Sequence, residues 1–129
     1  MRSTRILIID DEPDFTALLK ANLEEAGDFL VRQVNDSELA VKAAHEFRPH
    51  LCVIDVVMPG MDGGDIVAKF REDPELKKVP VMMLTALVEE NPESTDGETQ
   101  TGGLPFVSKT SDFETILACI EKHLEEHDR

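Results

Sequence analysis

Among the side chains of this 129-residue sequence that could move or hold charged groups, five stand out by their placement: Asp10, Asp11, Asp55, Thr85 and Lys109. Each follows a short apolar run: Ile6 to Ile9 before Asp10-Asp11, Leu51 to Ile54 before Asp55, Val79 to Leu84 before Thr85, and Pro105 to Ser108 before Lys109. Three carboxylates gathered at one place repel each other, and one would have to take a proton. A hard divalent cation removes the conflict, and Mg2+ suits carboxylates, backbone carbonyls and water. A carboxylate can also attack a phosphoryl group to give an acyl phosphate. The transferred group spreads charge over its equatorial oxygens, so the work is positioning and electrostatic stabilisation. In this set Mg2+ would face one oxygen, Lys109 a second, and the Thr85 hydroxyl with nearby backbone N–H groups the third. Asp55, alone after its run, is the candidate nucleophile, and Asp10 and Asp11 are the candidate metal ligands.

Taken singly, these residues have plainer readings. An Asp after a strand caps a helix or a turn, a Thr bonds nearby backbone, and a Lys is a solvated surface charge. Asp62, in a Met-Asp-Gly turn, is read in that way, as the start of a helix. The case for chemistry rests on all five positions standing together at strand ends.

The runs alternate with helical patterns. Arg5 to Ile9 is the first continuous apolar run, the mark of a strand covered on both faces. Pro13 suits a helix start, and Phe15, Leu18, Leu19, Leu23 and Ala26 follow at helical spacing up to Gly27. Phe29 to Val34 reads as the second strand, and Asp36 or Ser37 can cap a helix that ends before Pro49. Leu51 to Ile54 is the third strand, and after residues 56–63 comes a helix through Ile66, Val67 and Phe70. Val79 to Leu84 and Pro105 to Ser108 are the fourth and fifth strands. The last helix opens on the capping-box pattern Ser111-Asp112-Phe113-Glu114. Such β-then-α units specify a parallel sheet with helices on both faces, whose ligands bind beyond the carboxyl ends of the strands.

Composition narrows the function. Thirteen Lys and Arg against 27 Asp and Glu leave a net charge of −14, which argues against direct nucleic-acid binding and against anionic membrane surfaces. With 41% hydrophobic and 31% charged residues the chain reads as one globular domain over 1–129, its core at about 5–126. Cys52 and Cys119 lie in apolar stretches and read as buried thiols of a reducing compartment. The apolar run after Arg5 is too short for a signal peptide or a membrane span, so a cytoplasmic location is expected.

Asp10-Asp11, Asp55 with Met58-Pro59-Gly60-Met61-Asp62-Gly63, Thr85-Ala86 and Lys109 together resemble the receiver domain of two-component response regulators over about residues 5 to 126. The resemblance implies a flavodoxin-like receiver fold: a five-stranded parallel sheet of order 2-1-3-4-5 with helices on both faces. It implies phosphoryl transfer to Asp55 from a phosphohistidine on a sensor histidine kinase or a histidine phosphotransfer protein. Mg2+ would be held by Asp11, Asp55 and the backbone carbonyl of Val57, with Asp10 assisting through water. Thr85 would swing toward the phosphoryl group, and Phe106 takes the family's rotating aromatic position. Such a domain catalyses its own phosphorylation and dephosphorylation and is not counted as an enzyme.

The sequence departs from the family in two places. Lys109 is followed by Thr110 where a cis proline is usual. A cis bond before a non-proline residue costs about 3–4 kcal/mol, so either this bond is trans and the loop is rearranged, or its surroundings hold a strained cis bond. Residues 88–103, where the family has its fourth helix, contain five acids, no base and one apolar residue, Val88. A surface helix needs an apolar stripe to dock, so that helix is expected to be short, distorted or absent. The output face would then be acidic and the protein a monomer or weak dimer.

Three rivals fail on particular residues. An aspartyl-nucleophile phosphatase needs a carboxylate two residues beyond its nucleophile, where this chain has Val57. A flavin carrier needs a phosphate-binding loop after the first strand, where Asp10-Asp11-Glu12 would repel it. A receiver-like scaffold without chemistry has no use for the intact set of five.

Overall fold

The computed structural model describes residues 3–85, 98–101 and 104–127. Within them the chain runs β1 (Thr4–Ile9), α1 (Pro13–Ala26), β2 (Phe29–Val34), a 3-10 turn (Ser37–Leu39), α2 (Ala40–Phe47), β3 (Leu51–Asp55), α3 (Gly63–Glu72), β4 (Val81–Thr85), β5 (Glu98–Thr101), β6 (Leu104–Ser108) and α4 (Phe113–His127). The sheet order is β2-β1-β3-β4-β6-β5. Its first five members are mutually parallel and are the expected strands in the expected order. To them the structure adds β5, an edge strand antiparallel to β6. The expectation of a short, distorted or absent helix within 88–103 falls largely outside the described residues, and the part inside them is this strand.

Strand alternation splits the core into two layers. Leu7, Ile9, Cys52, Ile54 and Met83 point toward α2 and α3, where they meet Ala40, Ala44, Ile66, Val67 and Phe70. Ile6, Ile8, Leu51, Val53, Met82 and Leu84 point to the opposite face, against Leu19 and Leu23 of α1 and Ile116 and Ile120 of α4. Both thiols are buried in this core. Because all five residues of β3 are buried, a polar group there faces the interior and not the solvent.

The helix ends follow local chemistry. Pro13 opens α1. Asp36 caps the 3-10 turn by accepting from Glu38 N–H at 3.0 Å. Asp62 and Asp65 form a reciprocal capping box on α3, which bears out Asp62 as a helix start. The last helix corrects the sequence reading by one residue: Asp112, not Ser111, caps it, its carboxylate accepting from Thr115 N–H at 2.9 Å. The Lys109–Thr110 peptide is trans.

At the far end of the sheet from the carboxylates, His45 of α2 lies between two acids that follow α3. Its Nε2 is 2.6 Å from Asp73 and its Nδ1 is 2.9 Å from Glu75. A neutral imidazole has one donor and one acceptor, so only the doubly protonated ring satisfies both carboxylates. The hydrogen bonds to Asp73 and then Glu75 raise the pKa of His45. Asp73 is held below the usual carboxylate range: burial opposes its charge, but the Glu75 N–H and His45 outweigh it. A His whose folded pKa is raised contributes fully below its unfolded value and loses that contribution as pH rises through the folded one. His45→Gln is therefore expected to destabilise most in mildly acid buffer and least in alkaline buffer. Urea denaturation of both proteins across that range measures the difference.

Candidate functional site

The site lies at the carboxyl ends of β1, β3, β4 and β6. Register sets their level: Ile9 pairs with Ile54, Asp55 with Leu84, and Thr85 with Ser108. Asp55 and Thr85 are thus the last residues of their strands, not the first residues beyond them.

Asp10 is fully buried. Its N–H donates to the Val34 carbonyl at 3.0 Å. Its own carbonyl accepts from Asn35 Nδ2 at 2.8 Å, and the same nitrogen donates to Thr16 Oγ1 at 2.9 Å. On its side chain, Oδ1 accepts from Glu12 N–H at 3.0 Å. Oδ2 accepts no aligned hydrogen bond, and what it faces is the Lys109 ammonium, an ion pair at 2.8 Å. Lys109 Nζ also pairs with Glu12, stands 3.7 Å from Asp55 Oδ2, and lies 4.6 Å from the centroid of the Phe15 ring. Asp10, Asp11 and Asp55 each offer an oxygen within 4.8 Å of the other two.

The energetics follow from burial and crowding. Burial, with the charge of Asp10 added, pushes the Asp55 carboxyl up to about 6, despite the opposing charge of Lys109 and the Val57 N–H. Burial also raises Asp10, against the pull of Lys109 and of the Glu12 N–H. For Lys109, burial opposes the charge, but the close contacts with Asp10 and Glu12 win and raise its pKa. The donors at the cluster are hard carboxylate oxygens, one of them buried without an aligned hydrogen bond. That chemistry fits Mg2+.

The loop after β3 is held by small contacts. Val56 N–H donates to the Leu84 carbonyl at 3.0 Å, and Gly63 N–H to the Val56 carbonyl at 2.9 Å. Ser37, buried on the other side, accepts from Met61 N–H and donates to the Pro59 carbonyl, both at 3.2 Å. A β-carbon on Gly63 would stand 2.4 Å from the Asp55 carbonyl oxygen and 3.0 Å from Val56 Cα. Only glycine lets α3 start this close to the strand end. Val57 itself is 56% exposed.

Of the residues expected from sequence, Asp10, Asp11, Asp55 and Lys109 converge. Thr85 is buried at the same edge, and its carbonyl accepts from Lys109 N–H at 3.0 Å. Phe106 pairs with Met83 and packs, half-buried, against the layer that holds α2 and α3. The sequence reading gives Asn35 no role, Ser37 only that of a possible helix cap, and Glu12 no contact with the lysine. Glu12 carries a visible signal as the third acid of its run, whereas Asn35 and Ser37 act through distant backbone that spacing does not reveal.

A parallel sheet with buried carboxylates and a lysine at its carboxyl edge defines a phosphoryl-signalling class of α/β protein more than a metabolic one. Residues 6–121 match the family model of the response regulator receiver domain. The chain belongs to this family, a signalling module of two-component systems and not a catalytic enzyme. It is 34% identical over 127 residues to the DNA-binding dual master transcriptional regulator RpaA of Synechocystis, covering 97% of this chain and 51% of that protein. It is 32% identical over 116 residues to protein PilH of Pseudomonas aeruginosa, covering 90% of this chain and 93% of that one. The Vibrio cholerae chemotaxis protein CheY4 superposes with a TM-score of 0.77 at 27% identity, covering 93% of this chain and 98% of that one. This chain therefore spans about half the length of RpaA and nearly all of PilH. Among the described residues no helix is long and apolar enough to cross a membrane.

Two substitutions test the geometry. Gly63→Ala should destabilise by about 1–3 kcal/mol, the usual cost of forcing an extra carbon into packed structure, read by chemical denaturation. Because Asp55 has its pKa raised from 3.8 to about 6, its ionised form costs folding energy once pH passes that window, and costs nothing below it. Without divalent cations Asp55→Asn should gain on wild type as pH rises from 4 to 6 and hold a plateau above, on the order of 1 kcal/mol after solvent screening. Paired thermal melts in a chelating buffer measure it.

Proposed function

We propose that residues 5–126 act as one phosphoacceptor unit in which Asp55 takes a phosphoryl group from the phosphohistidine of a sensor histidine kinase or a histidine phosphotransfer protein. The observation that carries this reading is the convergence of the Asp10, Asp11 and Asp55 oxygens, with the Lys109 ammonium facing Asp10 and Asp55. One Asp55 oxygen forms the new O–P bond as the donor's P–N bond breaks, and the electron pair returns to the imidazole nitrogen, which takes a proton from solvent. Lys109 neutralises charge on the transferred oxygens, and the Thr85 hydroxyl turns toward them once they are in place. Mg2+ bound by Asp11, Asp55 and the Val57 carbonyl, with Asp10 through water, would supply further neutralisation. Movement of Thr85 is passed to Phe106, and so to the surface that partners read. The strong negative charge favours a cytoplasmic protein partner over nucleic acid or membrane, and opposes tight self-association, so the unit acts as a monomer or weak dimer.

Incubation with acetyl phosphate and Mg2+, followed by intact mass, tests the reading: wild type gains one phosphoryl group and Asp55→Asn gains none. An unlabelled wild type, or a labelled Asp55→Asn, overturns it. The same label reports lifetime. Hydrolysis needs a water held in line with the acyl phosphate, and the exposed Val57 offers that water no hydrogen bond. The phosphorylated form is expected to decay slowly, and Val57→Asn to change the decay rate several-fold.

A further inference from the structure

The reach of Lys109 is set by the turn that carries it, and that turn is closed by two hydroxyls. The Ser108 carbonyl accepts from Ser111 N–H at 3.1 Å. Ser108 Oγ accepts from Thr110 N–H at 3.1 Å and is hydrogen-bonded to Thr110 Oγ1 at 2.7 Å. Ser108 is only 4% exposed and pairs in register with Thr85. The Lys109 N–H donates to the carbonyl of that same Thr85 at 3.0 Å. The lysine backbone is thus tied to β4 on one side and to the Ser108 hydroxyl on the other, across a trans Lys109–Thr110 peptide. Serine and threonine hydroxyls close such turns by bonding backbone two residues on. Without this bond the turn keeps only its backbone contacts, Lys109 N–H to the Thr85 carbonyl and Ser111 N–H to the Ser108 carbonyl.

We propose that Ser108, through its hydroxyl contacts with Thr110, is the positioning residue that fixes the Lys109 ammonium between Asp10 and Asp55. The proposal rests on Asp55 being the phosphoacceptor. A long cation aimed at developing charge is sensitive to its anchor, since a shift of about 1 Å costs on the order of a hundredfold in rate. Losing one neutral hydrogen bond corresponds to roughly three- to tenfold.

The test uses the full chain with acetyl phosphate, the Asp55 oxygen forming its bond to phosphorus as the bond to acetate oxygen breaks and acetate leaves with the electron pair. Ser108→Ala and Thr110→Val should each label about three- to tenfold more slowly at saturating acetyl phosphate and Mg2+, with the Mg2+ half-saturation unchanged. Thr110→Ser, which keeps the hydroxyl, should recover most of the rate lost in Thr110→Val. In a Lys109→Ala background Ser108→Ala should cost nothing further, because the residue it positions is gone. A wild-type rate in Ser108→Ala overturns the proposal, as does the same loss with and without Lys109. A second readout needs no label: Lys109 lies over the Phe15 ring, so its ε-methylene protons carry a ring-current shift in NMR spectra. Ser108→Ala should move that shift toward the value of a free lysine, and an unchanged shift overturns the proposal. Absent labelling of wild type would overturn the phosphoacceptor reading itself, and the ring-current measurement tells the two failures apart.

Discussion

A single ammonium among four carboxylates sets the terms for the carboxyl edge of this sheet. Lys109 faces Asp10, Glu12 and Asp55, while Asp11 stands beside them. Removing charges from water is expensive, and attraction inside the protein repays it only when geometry is good and the remaining lone pairs are satisfied. Here the repayment is incomplete, because one cation cannot neutralise that many acids. The residue of the conflict appears as the raised pKa of Asp55 and Asp10. A group that adds positive charge at this edge relieves the folded state and is bound the more strongly for it.

Holding such a cluster together requires rigid supports, and these are mostly backbone. Asp10 is fixed by Val34, the last residue of β2, and by Asn35 just beyond it, Asp55 by its place in a wholly buried strand, and Lys109 by Thr85. Gly63 matters for the same reason: the start of α3 closes over the end of β3 at a distance no other residue permits. The clash that a side chain would bring falls on the Asp55 carbonyl itself, so the packing of a helix end and the placement of the Asp55 carboxylate are one constraint.

Much of this is legible in the sequence, for identifiable reasons. Continuous apolar runs such as Ile6 to Ile9 and Leu51 to Ile54 report burial on both faces, hence a parallel sheet, and the polar residue that ends each run reports the ligand edge. Run length alone does not say whether Asp55 and Thr85 close their strands or follow them, because pairing with a neighbour decides that, and the register places both inside. The capping box misplaced the start of α4 by one residue because Ser111 and Asp112 are both good caps, and only the three-dimensional path selects Asp112. The strand Glu98–Thr101 has no apolar residue to announce it. Its pairing with β6 is a tertiary effect, and β-propensity is weak against such context.

The added strand bears on how a change at the acidic edge travels. β6 is flanked by β4 on one side and by β5 on the other. On β6, Phe106 and Ser108 are two residues apart and share a face, and across the β4 register they stand beside Met83 and Thr85. The same short strand therefore carries the base of the lysine turn and the half-buried aromatic ring. A pull on Thr85 acts directly on the carbonyl that holds Lys109 N–H and, one pair further along, on the Met83–Phe106 pair. An extra strand bonded to the outer edge of β6 pairs with Phe106 through Thr99 and with Val107 through Glu98. Those ladder bonds brace the β6 backbone against displacement. One braced strand thus carries both the turn that holds Lys109 and the Phe106 ring, so the two are coupled through the same backbone.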